Sequence, residues 1–556
     1  MIHRLLLPFA LLSIPLALAA QRPRPDSPAV AIELLAFNDF HGNLEPPTGA
    51  NGRVGRTVAG GAEYLATHLK RAVERQPNSI IVAAGDLVGA APLISGLFHD
   101  EPAIESLNAI GLSLSAVGNH EFDRGSRELQ RRQRGGCHPV DGCRDGQPFP
   151  GARFQYLAAN VIDTATRRPV LPATAVRTIG GVRVGFIGET LKGTPQIVAP
   201  SGTAGLTFLD EAATANRYAR QLRQQGVRAL VLLIHEGGQQ SVPDEAVDPN
   251  GCVDFTGPIA AIARKLTPDI KVIISAHSHR VYNCSIAGHL VTSAASFGRA
   301  ITRVSLTIDR TTGAVTRAAA VNEIVTRDVP KDPVQTALVE KYAALAAPIA
   351  RRTAGSVTAS ITRETNRAGE SALGDVVTDA HLAAARTAGG NAAVAFMNNS
   401  GIRADLVAGS ATVAAPAPVT YGELYDAQPF GNTLITLTVT GDMIKRLLEQ
   451  QFTQPDTGAD VLQVSAGFSY RYKLTAPAGQ HVDPDSISLD GRKIAAADRV
   501  RIIVNDFLVN GGLGFTVLKE GTGRSGGALD IDAFAGYFKD HSPVAPGRQD
   551  RIVRTD

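Results

Sequence analysis

The stretch Leu112-Ser113-Leu114-Ser115-Ala116-Val117-Gly118-Asn119-His120-Glu121-Phe122-Asp123 decides the fold. A strand-length run, Leu112–Val117, stops abruptly at a glycine and gives way to Asn, His, Glu and Asp. Other strand-length runs in the first half are Ile32–Phe37, Ser79–Ala84, Val182–Ile187, Ala229–Ile234 and Ile270–Ser275. Most are continuous Val/Ile/Leu/Ala segments of about six residues, the signature of strands buried on both faces. Helical patterns at Gly61–Glu74, Pro102–Ala109, Glu211–Gln225 and Pro258–Leu266 alternate with them, so βα units are expected.

The residues just past the strands carry the chemistry. Phe37 leads into Asn38-Asp39-Phe40-His41-Gly42, and Ala84 into Gly85-Asp86-Leu87-Val88-Gly89. Ile234 leads into His235-Glu236-Gly237-Gly238, and Ser275 into Ala276-His277-Ser278-His279. A single strand-end Asp or His is usually a turn or cap residue. Five strands ending this way point to a ligand site, because ligands in layered α/β proteins bind at the carboxyl ends of strands.

Period-two alternation along an extended chain would put Asp39 and His41 on one face. A carboxylate and an imidazole there suit Zn, Mn or Co. Asp86, after a glycine without a side chain to obstruct it, is the natural bridging carboxylate. Asn119, His235 and His277 add an oxygen and two nitrogens. Two ions about 3.5–4 Å apart can clamp a phosphoryl oxygen and acidify bound water. His120 would act as the acid, oriented by Asp123.

The chain has 556 residues, too many for one core, and two domains are expected at roughly 100–200 residues each. Hydrophobic residues make up 44% and charged residues 19%, a globular balance. Fifty-five Lys+Arg against 52 Asp+Glu leave +3 without a basic stripe, which argues against binding polymeric nucleic acid. Arg4, the apolar Leu5–Leu18 and the small residues of Ala17-Leu18-Ala19-Ala20 read as a signal peptide over residues 1–20. The alternative is an uncleaved anchor, but the apolar run is short and Pro8 and Pro15 interrupt it. The C-terminus is polar, so an exported chain, periplasmic or secreted and without a stable membrane anchor, is expected. Cys137, Cys143, Cys252 and Cys284 allow three pairings. In an oxidising compartment the local ones, Cys137–Cys143 and Cys252–Cys284, are favoured.

A second, α+β segment starts after Val325. Its strands are expected near Ala393–Met397, Leu434–Val439 and Val500–Val504, and its helices near Ser371–Ala385 and Gly441–Gln450. The expected division is a catalytic domain over 30–328, a helical linker over 329–352 and a C-terminal domain over 353–554.

Asp-x-His, Gly-Asp-x-x-Gly, Gly-Asn-His-Glu-Phe-Asp, His-x-Gly-Gly and His-Ser-His, in this order, resemble the metallophosphoesterases of the 5′-nucleotidase family. The family includes exported bacterial nucleotidase/UDP-sugar hydrolases. The resemblance implies a four-layer αββα domain holding two metals and a C-terminal domain that binds the nucleoside. By motif, Asp39, His41, Asp86 and His279 would hold one ion, and Asp86, Asn119, His235 and His277 the other. The family often has Gln or Asn where His279 stands. His120 and Asp123 would be the catalytic dyad. Five of the 13 His sit in these motifs, and the other eight receive no role.

On the substrate side, Asn398-Asn399-Ser400-Gly401-Ile402-Arg403 resembles the family's Asn-Gly-Gly-Gly-Ile-Arg. This makes Arg403 a phosphate fork and Asn398 a base contact. Phe430 in Pro429-Phe430-Gly431-Asn432 and Phe507 in Asn505-Asp506-Phe507-Leu508 would stack on the two faces of the base. Arg367 is taken as the second phosphate arginine, with Arg363 as its competitor. The family's Gly-Gly-Asp-Gly-Phe, whose Asp binds the ribose hydroxyls, stands here as Gly511-Gly512-Leu513-Gly514-Phe515, and Leu513 cannot accept a hydrogen bond.

The expectation is an exported two-metal hydrolase that releases phosphate from nucleoside 5′-monophosphates and extends to di- and triphosphates or UDP-sugars. It would act on small molecules as a monomer or homodimer. Leu513 motivates an alternative, a 2′,3′-cyclic phosphodiesterase/3′-nucleotidase or a broad sugar-phosphate phosphatase. An inactive secreted binding protein is the alternative from another class, and the complete ligand set argues against it.

Overall fold

The computed structural model describes residues 28–408, 416–453 and 460–556, so the expected signal peptide lies outside the described residues. The first half holds two six-stranded mixed sheets. One runs in the order Val315–Ile324, Ala300–Asp309, Ala29–Phe37, Ser79–Ala83, Leu114–Ala116, Gln155–Leu157. The other runs Val281–Ile286, His289–Ala294, Ile270–Ile274, Ala229–His235, Val182–Thr190, Thr174–Ile179.

Alternation along the central strands separates three cores. Leu34 and Ala36 face inward against Phe186, Val231 and Val272 of the opposite sheet. Leu35 and Phe37 point the other way, against Leu65, Leu69 and Leu107 of the outer helices. On the second sheet's outer face Leu230, Leu232 and Ile234 pack on Ala215, Leu222 and Ile259. Helix, sheet, sheet and helix are thus four layers, with strands buried on both sides. At about 25 cal/mol per Å2, this apolar burial is the main force holding the layers together.

The two antiparallel pairs at the sheet edges, Ala300–Asp309 with Val315–Ile324 and Val281–Ile286 with His289–Ala294, add strands that the apolar runs did not signal. The helix Pro333–Ala350, N-capped by Asp332, buries Val339, Tyr342 and Ala346 in the first outer core. It is docked on the N-terminal layers.

The second half centres on a five-stranded sheet in the order Gln463–Val464, Val394–Met397, Arg499–Asn505, Thr433–Thr440, Thr522–Leu529. Helices Ala372–Thr387 and Asp530–His541 pack together beside it. Both local disulfides are formed, with Cα–Cα 4.7 Å for Cys137–Cys143 and 5.3 Å for Cys252–Cys284.

Candidate dinuclear metal and phosphoester site

Parallel strands of both sheets deliver their C-terminal ends to one place. Asp39 and His41 follow Phe37, Asp86 follows Ala83, and Asn119 and His120 follow Ala116. His235 ends the strand Ala229–His235, and His277 and His279 follow Ile274. Two triads of ligand atoms within 4.8 Å result: Asp39, His41 and His279, and Asp86, His235 and His277. His41, Asp86 and His120 form a third such group between them.

The reason Asp39 and His41 converge differs from the one expected. Strand pairing ends at Phe37, so period-two alternation does not place them. Asp39 (φ 50°), His41 (φ 47°), Asp86 (φ 49°), His277 (φ 69°) and His279 (φ 57°) are all left-handed. Non-glycine residues rarely take this conformation, and each costs of order 1–3 kcal/mol unless its surroundings enforce it. Strain concentrated in the ligand loops marks the site independently of any motif. Gly85 also acts otherwise than expected: a Cβ there would lie 2.5 Å from the Gly118 backbone nitrogen, so it allows two loops to touch. A Cβ on Gly118 would sit 2.1 Å from Asp86 Oδ1.

The donor set fits divalent cations. His41 Nδ1 donates to the Gly89 carbonyl at 2.8 Å, and His235 Nδ1 to the Ala84 carbonyl at 2.9 Å. Each bond fixes the tautomer that turns Nε2 inward as a lone pair. His41 Nε2 then faces His279 Nε2 at only 3.1 Å, an arrangement that calls for a cation between them. Asn119 Oδ1 is buried without a hydrogen-bond partner, and His235 Nε2 lies 2.9 Å from Asp86 Oδ2. Burial raises the Asp39 carboxyl pKa, but His279 and His235 overcome it and hold it at about 2. Burial likewise opposes charge on His235, yet Asp86 and Asp39 raise it to about 10, as if a proton stood in for a metal ion.

Glu121, to which the sequence reading gave no role, organises the floor. Fully buried, its carboxylate accepts the backbone N–H groups of Asp86, Leu87 and Gly118. It thereby ties the Asp86 loop to the Asn119 loop. Its only sequence signal is its place inside Gly-Asn-His-Glu-Phe-Asp.

His120 Nδ1 lies 2.7 Å from Asp123 Oδ2. Burial opposes its protonation, but Asp123 and Asp86 outweigh that and raise its pKa. Above this dyad opens a cleft of about 2090 Å3 between the two halves of the chain. Asn119, His120, Asp123, His277, His279, Asn398, Arg403, Phe430, Phe507 and Leu513 all line it. Phe430 approaches His120 with ring centroids 5.9 Å apart. Asn398 is held by Asn505 Nδ2 on its Oδ1 at 3.2 Å and donates to Ser400 Oγ at 3.0 Å.

Arg367 is a correction. It is exposed and donates to the carbonyl of Asp556, outside the cleft lining. Arg363, four residues earlier, is the one that lines the cleft, because the loop before Ser371 turns away after Thr365. Its Nη2 donates to Asn51 Oδ1 at 2.5 Å, and Asn51 Nδ2 donates to the Arg403 carbonyl at 2.9 Å. Asn51 therefore joins the two arginines from the opposite domain, a role that no spacing signalled.

Residues 32–281 match the calcineurin-like phosphoesterase family, and residues 348–520 match the 5′-nucleotidase C-terminal domain. Endonuclease YhcR of Bacillus subtilis is 32% identical over 94% of this chain, which spans 41% of that protein's length. Cell wall protein Lmo0130 of Listeria monocytogenes is 32% identical over 92% of this chain and 67% of its own length. Among solved structures, a 5′-nucleotidase precursor from Thermus thermophilus superposes with a TM-score of 0.77 at 26% identity, covering 95% of this chain and 100% of that one. No helix among the described residues is long and apolar enough to cross a membrane. Both family matches, the four-layer architecture and the ligand-rich strand ends agree: the chain belongs to the 5′-nucleotidase family of metallophosphoesterases.

Proposed function

We propose that the protein is an exported two-metal phosphohydrolase that releases phosphate from nucleoside 5′-monophosphates. One observation carries this reading. The His120–Asp123 dyad and one histidine of each ligand triad, His279 and His277, open into the same cleft as Arg363, Arg403, Phe430 and Phe507. A phosphate and an aromatic base can then be held at once, each by a different part of the cleft.

Asp39, His41, Asp86 and His279 would hold one ion, and Asp86, Asn119, His235 and His277 the other. Bound there, divalent ions would supply positive charge at the phosphoryl oxygens and acidify the attacking water. Arg403 and Arg363 present guanidinium forks to the phosphate from the far wall. His120, with Nδ1 engaged by Asp123, directs Nε2 at the ester and can give its proton to the leaving oxygen. Phe430 and Phe507 offer ring faces to the base, each contributing about 1–3 kcal/mol by analogy with nucleic-acid stacking. Asn398, with its amide orientation set by Asn505 and Ser400, would read the base edge.

Phosphate release from AMP and from ribose 5-phosphate, with EDTA and then with Mn, Co or Zn restored, tests the reading. A metal-dependent preference for AMP of tenfold or more supports it, a difference of about 1.4 kcal/mol. Leu513 in the cleft lining favours a second reading, a 3′-nucleotidase/cyclic phosphodiesterase or broad phosphatase. Equal rates on the two substrates, or faster turnover of 3′-AMP, would replace the first reading with it.

A further inference from the structure

The cleft wall holds another group of ligating side chains, away from the dinuclear floor. His99, His138 and Asp141 each place a ligand atom within 4.8 Å of the others. The geometry points to a further zinc-type cation site formed by His99 Nε2, His138 Nδ1 and Asp141 Oδ2 on the cleft wall.

The two ligand-atom separations bracket what a small ion requires. Asp141 Oδ2 lies 2.8 Å from His99 Nε2 and 3.5 Å from His138 Nδ1. Tetrahedral bonds of about 2.0–2.1 Å would separate ligand atoms by roughly 3.4 Å. His99 Nε2 is paired with Asp141 Oδ2 at 2.8 Å, a contact that a cation bound between them would replace. His138 Nδ1 accepts the Asp141 backbone N–H at 3.2 Å, so it carries a lone pair. A cation would take the place of that N–H on the same lone pair.

Both sides of the site are held in place. The Cys137–Cys143 disulfide closes the loop that bears His138 and Asp141, and a backbone bridge pairs His138 with Gly142 inside it. Opposite, His99 (φ 57°) and Asp100 (φ 63°) are successive left-handed residues, held by Arg132 on the His99 carbonyl and the Asp100 carboxylate. Arg144 Nη2 lies 3.1 Å from the same Asp141 Oδ2, so an ion would share that oxygen with the guanidinium. The imidazoles are stacked, 3.8 Å apart and 11° from parallel, and must tilt apart for both lone pairs to meet one ion. All three side chains border the cleft.

The site also reaches the main centre through backbone. Asp100 accepts the Gly89 N–H at 3.0 Å, and the Gly89 carbonyl fixes His41. An ion on His99 would therefore stiffen the corner that sets a ligand's tautomer.

The test is a difference in metal content. Full-length chain is loaded with zinc, dialysed against chelator-treated buffer and analysed by mass spectrometry for zinc per chain. Wild type is expected to hold one ion per chain more than His138→Asn or Asp141→Asn. Equal counts overturn the site. The difference depends neither on how many ions the floor retains nor on which ester is hydrolysed. Should the loop variants misfold, zinc-edge anomalous scattering from stoichiometrically loaded wild-type crystals decides instead. A peak between His99 and Asp141 is expected, and peaks confined to the floor would overturn the assignment.

Discussion

His120 reaches the cleft with Nδ1 already engaged by Asp123, which leaves Nε2 as the atom that can meet a leaving oxygen. His120→Ala should lower kcat by about 10²–10⁴, the usual range for a lost acid. Turnover of AMP at saturating substrate checks it, and unchanged kcat would remove His120 from the chemistry. Elsewhere, Glu189 is fully buried at the end of a central strand, and neither carboxylate oxygen has a hydrogen-bond partner among the described residues. Burial, with Glu211 and Asp210 nearby, raises its pKa well above the ordinary value. The folded state thus favours the neutral acid, and this residue's contribution to stability falls as pH rises above its unfolded value near 4.5. Glu189→Gln should melt higher than wild type at pH 8, with the gap closing towards pH 4; a pH-independent gap would refute it. At this scale the sequence was legible for the ligand types and silent about conformation. Nothing in Asp-x-His announces left-handed φ, and nothing separates Arg367 from Arg363 except the direction in which a loop turns.

The loop Gly49–Gly52 and the turn Gly511–Phe515 are the elements that shape the substrate side. Asn51 crosses from the N-terminal layers to bind the Arg363 side chain and the Arg403 backbone. Hydrogen bonds to charged groups are worth about 1.5–3 kcal/mol, so Asn51→Ala should raise KM for AMP on the order of tenfold with kcat less affected. A fall in kcat alone would mean that the loop does not position the arginines. Leu513 keeps the left-handed backbone (φ 54°) of its glycine-rich turn, a conformation Asp tolerates better. Leu513→Asp should therefore fold, and it should raise the AMP/dAMP ratio of kcat/KM by roughly tenfold if it restores an acceptor for the ribose hydroxyls. An unchanged ratio would place the ribose elsewhere. Elements with dense apolar runs, such as Ala229–His235, were readable because both faces are buried. Thr522–Leu529 was not, because its Gly-rich edge is exposed throughout and carries no hydrophobic pattern.

The whole molecule places its candidate metal ligands in one domain and the cleft-lining rings of Phe430 and Phe507 in the other, with contacts closing the cleft between them. Leu93 donates to Asp426 Oδ1 at 3.0 Å and Arg124 to the Phe430 carbonyl at 3.3 Å, beside the Asn51 bridge. Among the described residues the candidate ligands Asp39, His41, Asp86, His235, His277 and His279 all belong to the N-terminal layers, so bound cations would stabilise those layers directly. An ion present at a hundred times its dissociation constant stabilises the fold that binds it by about 2.7 kcal/mol. Calorimetry with and without EDTA should therefore show a lower unfolding temperature after metal removal. How many transitions move reports on the interface. If the polar bridges couple the domains weakly, EDTA shifts one of two transitions and leaves the C-terminal one in place. If the docked helix Pro333–Ala350 and these bridges make the domains unfold together, a single transition shifts as a whole. Polar bridges of this kind couple domains weakly, so two transitions with one EDTA-sensitive are expected. An EDTA-insensitive profile would show that the buried carboxylates and histidines do not bind cations.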